Sequence, residues 1–183
     1  MFRHFDVQKA IQAAGELLRF ERNRMSYIRL LKLLYIADRD AIRESGMPIL
    51  GSRAVAMDNG PLHSDVYNLV RGIHENTATW AQFFSTIGYQ VETTRQPDNG
   101  LLSQYEINKL REISEKYAPF TDIDICKVMT HSFDEWSKNY NEKSSKPIPI
   151  EDIIDAVGRK GDKESILEDI AELEEFDKLM SQV

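Results

Sequence analysis

The sequence predicts a mainly helical α+β fold, a single compact domain of six to seven helices with a small β-hairpin or sheet element and an acidic C-terminal helix. Apolar residues recur at helical spacing through most of the chain, whereas strand-forming residues cluster near residues 54–57 and 84–94. The 183 residues are 42% hydrophobic and 29% charged, as in ordinary globular proteins. A chain of this length buries enough surface to fold without a disulfide or metal.

Two helices are predicted in the N-terminal part. Asp6 is the expected N-cap of the first, which ends near residues 22–23. Ser26 is the expected cap of a second helix over residues 27–44, which ends where Gly46 permits a left-handed turn. Apolar residues cover more than one face of the second helix, so it is predicted to lie centrally and to be contacted from several sides.

The middle of the chain predicts the β element and a third helix. Residues 54–57 suit a short strand, and Asn59-Gly60-Pro61 is expected to turn because Gly permits positive φ and Pro fixes its own φ. A third helix is predicted over residues 62–74. Phe84–Ile87 and Gln90–Thr94 are predicted to pair as a hairpin.

Two helices with N-terminal capping patterns follow the hairpin. Ser103 and Glu106 form a capping box, which predicts a helix that continues to Pro119. Thr121 and Asp124 repeat the pattern with Asp in place of Glu, ahead of a helix that is expected to bury Val128 and Met129.

The C-terminal part predicts a loop and two helices. Residues 137–147 lack apolar periodicity and are expected to form an exposed loop or linker. Short and long helices are predicted over residues 150–157 and 163–180, so we divide the chain into a domain at residues 1–158 and an acidic amphipathic helix at residues 159–183. The last helix is expected either to dock on the domain or to lie as an arm in a groove of a partner. Its apolar stripe consists of Ile166, Ile170, Leu173, Phe176 and Met180.

Charge and cysteine content limit the classes of function. The net charge is −7, and residues 146–183 carry 5 Lys or Arg against 11 Asp or Glu, a balance of −6. Phosphate binding favours the opposite balance, so nucleic acid is not the expected partner of the whole chain. The single cysteine, Cys126, is typical of the cytoplasm, and we expect neither a secretory nor a membrane-spanning segment.

Catalytic, cofactor and metal residues are not predicted. No two histidines lie at a two- to five-residue spacing, and one cysteine cannot build a zinc cluster. Cys126 and His131 are the residue types of a catalytic thiol–imidazole pair. Cys126 has apolar neighbours on a predicted helix, however, and is interpreted as a small buried residue. No glycine-rich phosphate loop occurs.

A cluster of cations has two interpretations. It forms either a positive surface, which suggests a DNA-binding autoregulator, or a set of ion pairs with Glu21, Asp38 and Glu44. The second is favoured because no aromatic residue interleaves the cluster, as nucleic-acid stacking requires. The cluster consists of Arg19, Arg22, Arg24, Arg29, Lys32, Arg39 and Arg43.

Three ordered blocks between residues 32 and 67 resemble a known family. They read Lys32-Leu-Leu-Tyr35-Ile-Ala-Asp38-Arg39, then Gly46-x-Pro48-Ile49, then Ala56-Met-x-x-Gly60-Pro61-Leu-x-Ser-x-Val-Tyr67. In order and spacing they resemble the Panacea domain, the SocA-like antitoxin domain of toxin–antitoxin systems. Ala54 departs from the larger residue expected two positions before the alanine of the third block.

The resemblance implies an antitoxin that is not an enzyme and that neutralises a cognate toxin by direct protein–protein binding in the cytoplasm. Some family members instead deliver the toxin to an ATP-dependent protease, so a protease is a possible further partner. The family motif implies structural roles for six residues, and among them we expect Asp38 to accept hydrogen bonds from the extended segment after its helix. These six are Lys32, Tyr35, Asp38, Gly60, Pro61 and Tyr67. The candidate partner anchors are Arg22, Arg24, Tyr67, Trp80 and Phe176.

Overall fold

The computed structural model of the protein describes residues 5–180, without the side chains of Val128, Asp177, Lys178 and Met180. Within this range it contains eight α-helices, one π-helix, two 3-10 helices and six short strands. The α-helices are α1 Val7–Phe20, α2 Tyr27–Ser45, α3 Ser64–Arg71, α4 Thr77–Trp80, α5 Gln104–Tyr117, α6 Asp134–Asn139, α7 Ile150–Ala156 and α8 Lys163–Met180. The strands are β1 Arg24–Ser26, β2 Ala54–Met57, β3 Gly60–His63, β4 Phe84–Ile87, β5 Gln90–Thr93 and β6 Lys146–Pro147. The π-helix spans Asp124–Met129, and the 3-10 helices span Thr130–Ser132 and Lys160–Asp162.

Side-chain caps fix the starts of the long helices where the sequence predicts them. The Asp6 carboxylate accepts from the amide of Lys9, and the Ser26 hydroxyl accepts from the amide of Arg29. Ser103 and Glu106 form the full reciprocal capping box of α5. α2 ends at Gly46, which takes the expected left-handed conformation at φ 82°.

The strands form two separate three-stranded antiparallel sheets, where the sequence predicted one small β element. One sheet has the order β1-β5-β4 and contains the predicted hairpin; the other has the order β3-β2-β6. β1 and β6 escaped prediction because they are three and two residues long and pair with strands distant in sequence.

The segment around Gly60 differs from the prediction. Met57 pairs with Gly60 and Ala56 with Pro61, so the turn lies at residues 58–59, and Gly60-Pro61 begins β3. Residues 62–63 complete this strand, and α3 begins only at Ser64. Pro61 is tolerated because β3 is an edge strand, where a missing N–H costs no ladder bond.

The central position predicted for α2 is confirmed. On one side it contributes Leu30, Leu33 and Leu34 to the main apolar core, which also receives residues of α1 and α5. On the other side Tyr35 and Ile42 belong to a second apolar cluster with residues of β2, α7 and α8. α2 therefore contributes to both clusters, and it contacts α1, α3, α5 and α7 as well as one strand of each sheet.

Other differences concern the C-terminal half. The number of helices in residues 5–180 exceeds the six to seven predicted, mainly because short helical turns such as α4 and α6 lack a complete apolar stripe. The predicted loop at residues 137–147 begins inside α6 and contains β6. The burial predicted for Val128 and Met180 lies outside the described residues.

Helix α8 docks through its first half. Ile166 and Ile170 are buried in the second apolar cluster, whereas Phe176 is 58% exposed. Docking on the domain, one of the two predicted arrangements, is therefore what the structure shows for this half. Within residues 5–180, no helix combines the length and apolar character needed to span a bilayer.

Candidate functional site

Asp38 ties the segment after α2 back to the helix. Its Oδ1 accepts from the amide of Leu50 at 2.8 Å and its Oδ2 accepts from the amide of Gly51 at 3.1 Å. The prediction that Asp38 accepts hydrogen bonds from the extended segment is confirmed. His63 Nε2 also lies 3.2 Å from Asp38 Oδ2, outside hydrogen-bond geometry. The carboxylate is 4% exposed, and these amide donors supply the hydrogen bonds that a buried anion requires.

Lys32 joins the first and third motif blocks. Its Nζ donates to the carbonyl oxygen of Pro61 at 2.7 Å, and the residue is 1% exposed. Burial without a carboxylate partner lowers the pKa of Lys32 to about 7, an effect that the neighbouring Cys126 thiol opposes. This hydrogen bond joins the lysine of the first block directly to the backbone of the Gly-Pro pair in the third block.

Gly60 is required by its conformation and by a close neighbour. Its φ is 91°, which a residue with a side chain rarely adopts. A Cβ added at this position would overlap Thr130 Oγ1. The Thr130 hydroxyl is itself held by a hydrogen bond to the carbonyl oxygen of Cys126 at 2.8 Å. β3 can therefore approach the 3-10 helix at Thr130 this closely only with glycine at position 60.

Tyr35 and Arg39 converge on one buried carboxylate. The Tyr35 hydroxyl donates to Glu135 Oε1 at 3.0 Å, and Arg39 Nε donates to the same oxygen at 2.7 Å. Arg39 also lies over the ring of Phe133, 4.1 Å from its centroid. Burial and the adjacent Glu135 raise the pKa of Tyr35 well above its usual value, so this hydroxyl stays a donor. Glu135 was missed by sequence reasoning because it is about 100 residues from its partners in the chain.

Most of these polar groups are engaged with one another or with backbone groups. Cys126 is 5% exposed, as predicted, and burial raises the pKa of its thiol, so the thiolate needed for nucleophilic attack is disfavoured. Within the described residues no group of three or more His, Cys, Asp or Glu side chains is placed to hold a metal ion. The motif residues thus fasten α2 to the 50–51 loop, to β3 and to α6.

Comparison with known families identifies this arrangement. A sequence model described as antitoxin SocA-like, Panacea domain, matches residues 30–137, more than half of the chain. The chain belongs to the SocA-like Panacea family. No curated protein and no solved structure matches the chain. The Panacea match runs from the first turn of α2 into α6 and so includes Glu135, whereas α7 and α8 lie beyond it.

The cationic cluster of this Panacea protein is largely used internally. Arg29 is 8% exposed and donates to the carbonyl oxygens of Tyr117 and Phe120, both at 2.9 Å. It also lies 3.5 Å from Glu21, and Arg43 lies 3.6 Å from Glu44, as the ion-pair interpretation predicts. The expected pairing of an arginine with Asp38 is wrong, because the carboxylate binds the 50–51 loop instead.

Four of the five predicted anchors are at least partly exposed, whereas Trp80 is buried. Arg22 and Arg24 are exposed on either side of the turn into β1, and Phe176 is exposed on α8. Tyr67 is half-buried on α3, with the Arg71 guanidinium 5.2 Å from its ring centroid. Trp80 is 3% exposed and packs on Phe84 with their ring centroids 4.5 Å apart, so we leave it out of the proposed interface.

Tyr67 instead lies within an aromatic surface that the sequence did not indicate. The rings of Tyr27 and Tyr89 stack with centroids 5.9 Å apart. Tyr27 and Tyr67 line the same cleft, and burial raises the pKa of Tyr27. Tyr27, Tyr67, Tyr89 and Arg71 are here called the tyrosine surface. The turn between β4 and β5 carries Tyr89 to this place, an effect of tertiary pairing that periodicity does not reveal.

Two concavities flank the buried motif residues. A cleft of about 410 Å³ adjoins the tyrosine surface and is lined by Tyr27, Tyr67, Met57 and Lys143, with Lys32 at its base. A groove of about 570 Å³, here called the α8 groove, lies between α2, the loop after it, α7 and α8. Tyr35, Asp38 and His63 contribute to its lining. Residues of the Panacea motif thus contribute to the lining of two candidate ligand-binding concavities.

Proposed function

We propose that this protein is a cytoplasmic antitoxin without enzymatic activity, which neutralises a cognate toxin by binding it directly. Membership in the SocA-like antitoxin family is the observation that carries this proposal. The geometry is in agreement with it, because the buried polar residues of the motif bond to one another and leave the exposed surface for recognition.

The tyrosine surface is the proposed centre of the toxin interface. Tyrosine and arginine are the residue types most enriched among side chains that dominate binding energy. Tyr89 is 71% exposed, and an exposed aromatic ring loses little rotamer entropy when a partner covers it. The adjoining cleft gives a partner side chain a place to insert. An interface centred here would bury about 1,200–2,000 Å² in total if it is of standard size.

We further propose the division of the chain into an antitoxin domain at residues 1–158 and an accessory helix at residues 159–183. The family match lies wholly within the first part. The exposed Arg22, Arg24 and Phe176 are proposed as peripheral contacts, which contribute less than the tyrosine surface because rim residues remain solvated.

The test is co-expression with the product of the adjacent reading frame, followed by titration of the purified pair. We expect the wild type to restore growth and bind the toxic protein, and Tyr89→Ala to weaken binding by at least about 30-fold, equivalent to 2 kcal/mol for a dominant contact. Tyr105→Ala is the matched control, because Tyr105 is a 41% exposed tyrosine on α5 outside the tyrosine surface. Equal binding by both variants would place the interface elsewhere. Catalytic turnover by the isolated chain that one point substitution abolishes would refute the antitoxin proposal.

A further inference from the structure

The α8 groove has the size and lining of a small-molecule site. Its volume of about 570 Å³ lies within the range of ligand pockets, and apolar side chains form most of its walls. Ile42 of α2, Ile153 of α7 and Ile170 of α8 place one such wall on each of three helices. A ligand in the groove would therefore contact elements that are distant in sequence.

A single buried carboxylate on α8 lacks a partner in this groove. Glu174 lines the groove and is 4% exposed, and its Oε1 has no hydrogen-bond partner among the side chains that the structure describes. A buried carboxylate oxygen without a donor is costly, and native structures leave few of them. An incoming donor would remove this cost, and a cationic donor would do so most strongly.

The remaining charges of the groove set the sign of the ligand. Glu151 and Glu175 also line it, and neither has an ion-pair partner among the described residues. Arg39 reaches the groove, but its guanidinium is bound to Glu135 at 2.7 Å. Among the described side chains, the uncompensated charge of the groove is therefore negative, which disfavours anions and favours a cation.

We propose that the α8 groove binds a small organic cation, an amine or a guanidinium with an apolar body, whose charged group pairs with Glu174. The apolar body would lie against Ile42, Ile153 and Ile170, where it gains from leaving water. A hydrated inorganic cation lacks this gain, and a neutral apolar molecule leaves Glu174 without a donor. Both halves of the ligand are thus specified by the groove.

Binding would also hold α8 on the domain. The ligand bridges Glu174 of α8 to α2 and α7, whereas the protein itself attaches α8 chiefly through Ile166 and Ile170 in its first half. A ligand that binds only when α8 is docked stabilises the docked state of the helix by its free energy of binding. The second half of α8, which carries the exposed Phe176, should then open less often.

The test uses n-hexylguanidinium as the probe and the full-length chain. Calorimetric or NMR titration should show saturable binding with a dissociation constant of about millimolar or tighter. Hexanol and hexanoate, which match the apolar body with no charge or the opposite charge, should bind at least about tenfold more weakly. Hydrogen exchange of the α8 amides should slow when the probe is added.

Two variants separate the groove from non-specific attraction to an acidic helix. Glu174→Gln keeps the shape but removes the charge, and should lose at least about tenfold in affinity for n-hexylguanidinium. Glu172→Gln removes a charge from an exposed position on the same helix and should change nothing measurable. Equal binding of the three probes, equal affinity of Glu174→Gln and wild type, or no saturable binding would each overturn the proposal. None of these results bears on toxin binding, which is measured separately.

Discussion

Replacing Asp38 tests whether the family motif stabilises the fold through the two amide bonds seen here. Asp38→Ala removes the acceptor for the Leu50 and Gly51 amides, which are then left in a buried place without a partner. Hydrogen bonds to a charged group contribute about 1.5–3 kcal/mol each, so the unfolding free energy should fall by about 3–6 kcal/mol. For a domain of this size, such a loss lowers the melting temperature by about 6–24 °C.

The assay is urea unfolding followed by circular dichroism, with Asp38→Asn and an exposed control alongside. The side-chain amide that Asp38→Asn introduces keeps one acceptor oxygen, so about half of the loss is expected. Asp169→Asn removes a carboxylate from an exposed position on α8 and should stay within about 0.5 kcal/mol of the wild type. If Asp38→Ala were as stable as this control, the motif carboxylate would not be stabilising the fold through the 50–51 loop.

Two further predictions concern the other motif blocks. The pKa of Lys32 is about 7 in the folded protein, below the value of about 10.4 expected in the unfolded chain. Between these two pH values the unfolded chain binds more protons than the folded protein does. The free energy of unfolding should therefore rise with pH over this range. Lys32→Met should flatten this rise by about 2 kcal/mol between pH 7 and 9 in urea titrations, and parallel profiles would contradict it. Gly60→Ala should lower the free energy of unfolding more than Gly72→Ala does. Both glycines have positive φ, but only at position 60 would the added Cβ overlap Thr130. The strain alone costs about 1–3 kcal/mol, so equal losses in thermal unfolding would show that Thr130 yields without cost.

Local signals in the sequence predicted most of the fold, and long-range pairing explains the rest. The caps at Asp6, Ser26 and Ser103 act within four residues of themselves, so their chemistry can be interpreted directly from the chain. β6 offers no such signal, since its two residues are a strand only because β2 pairs with them. The Gly60-Pro61 pair was assigned to a turn by residue preference, whereas pairing with β2 moved the turn to residues 58–59.

In the candidate site, too, local contacts were predicted from the sequence and long-range contacts were not. Asp38 was expected to bind the following segment because that segment is near in sequence, and it does. Glu135 was not foreseen, since nothing about a glutamate before a tryptophan indicates that a tyrosine and an arginine on α2 will meet it. Tyr89 was missed for the same reason, because its exposure and its stacking on Tyr27 arise from the position of the hairpin, and not from any pattern within it.

Most residues of the family motif are buried, whereas a partner is bound by exposed residues. Lys32 and Tyr35 are each 1% exposed, and their polar atoms bind Pro61 and Glu135, so they offer a toxin little surface to contact. A surface that recognises a partner must be built from exposed residues, and Tyr89 is free to change without disturbing these internal bonds. We infer that the buried residues of the family motif maintain its scaffold, and that the identity of the toxin is determined by exposed side chains, most of which lie outside the motif. Exchanging exposed residues of the tyrosine surface should therefore alter binding at constant stability, whereas exchanging Tyr35 should lower stability and binding together.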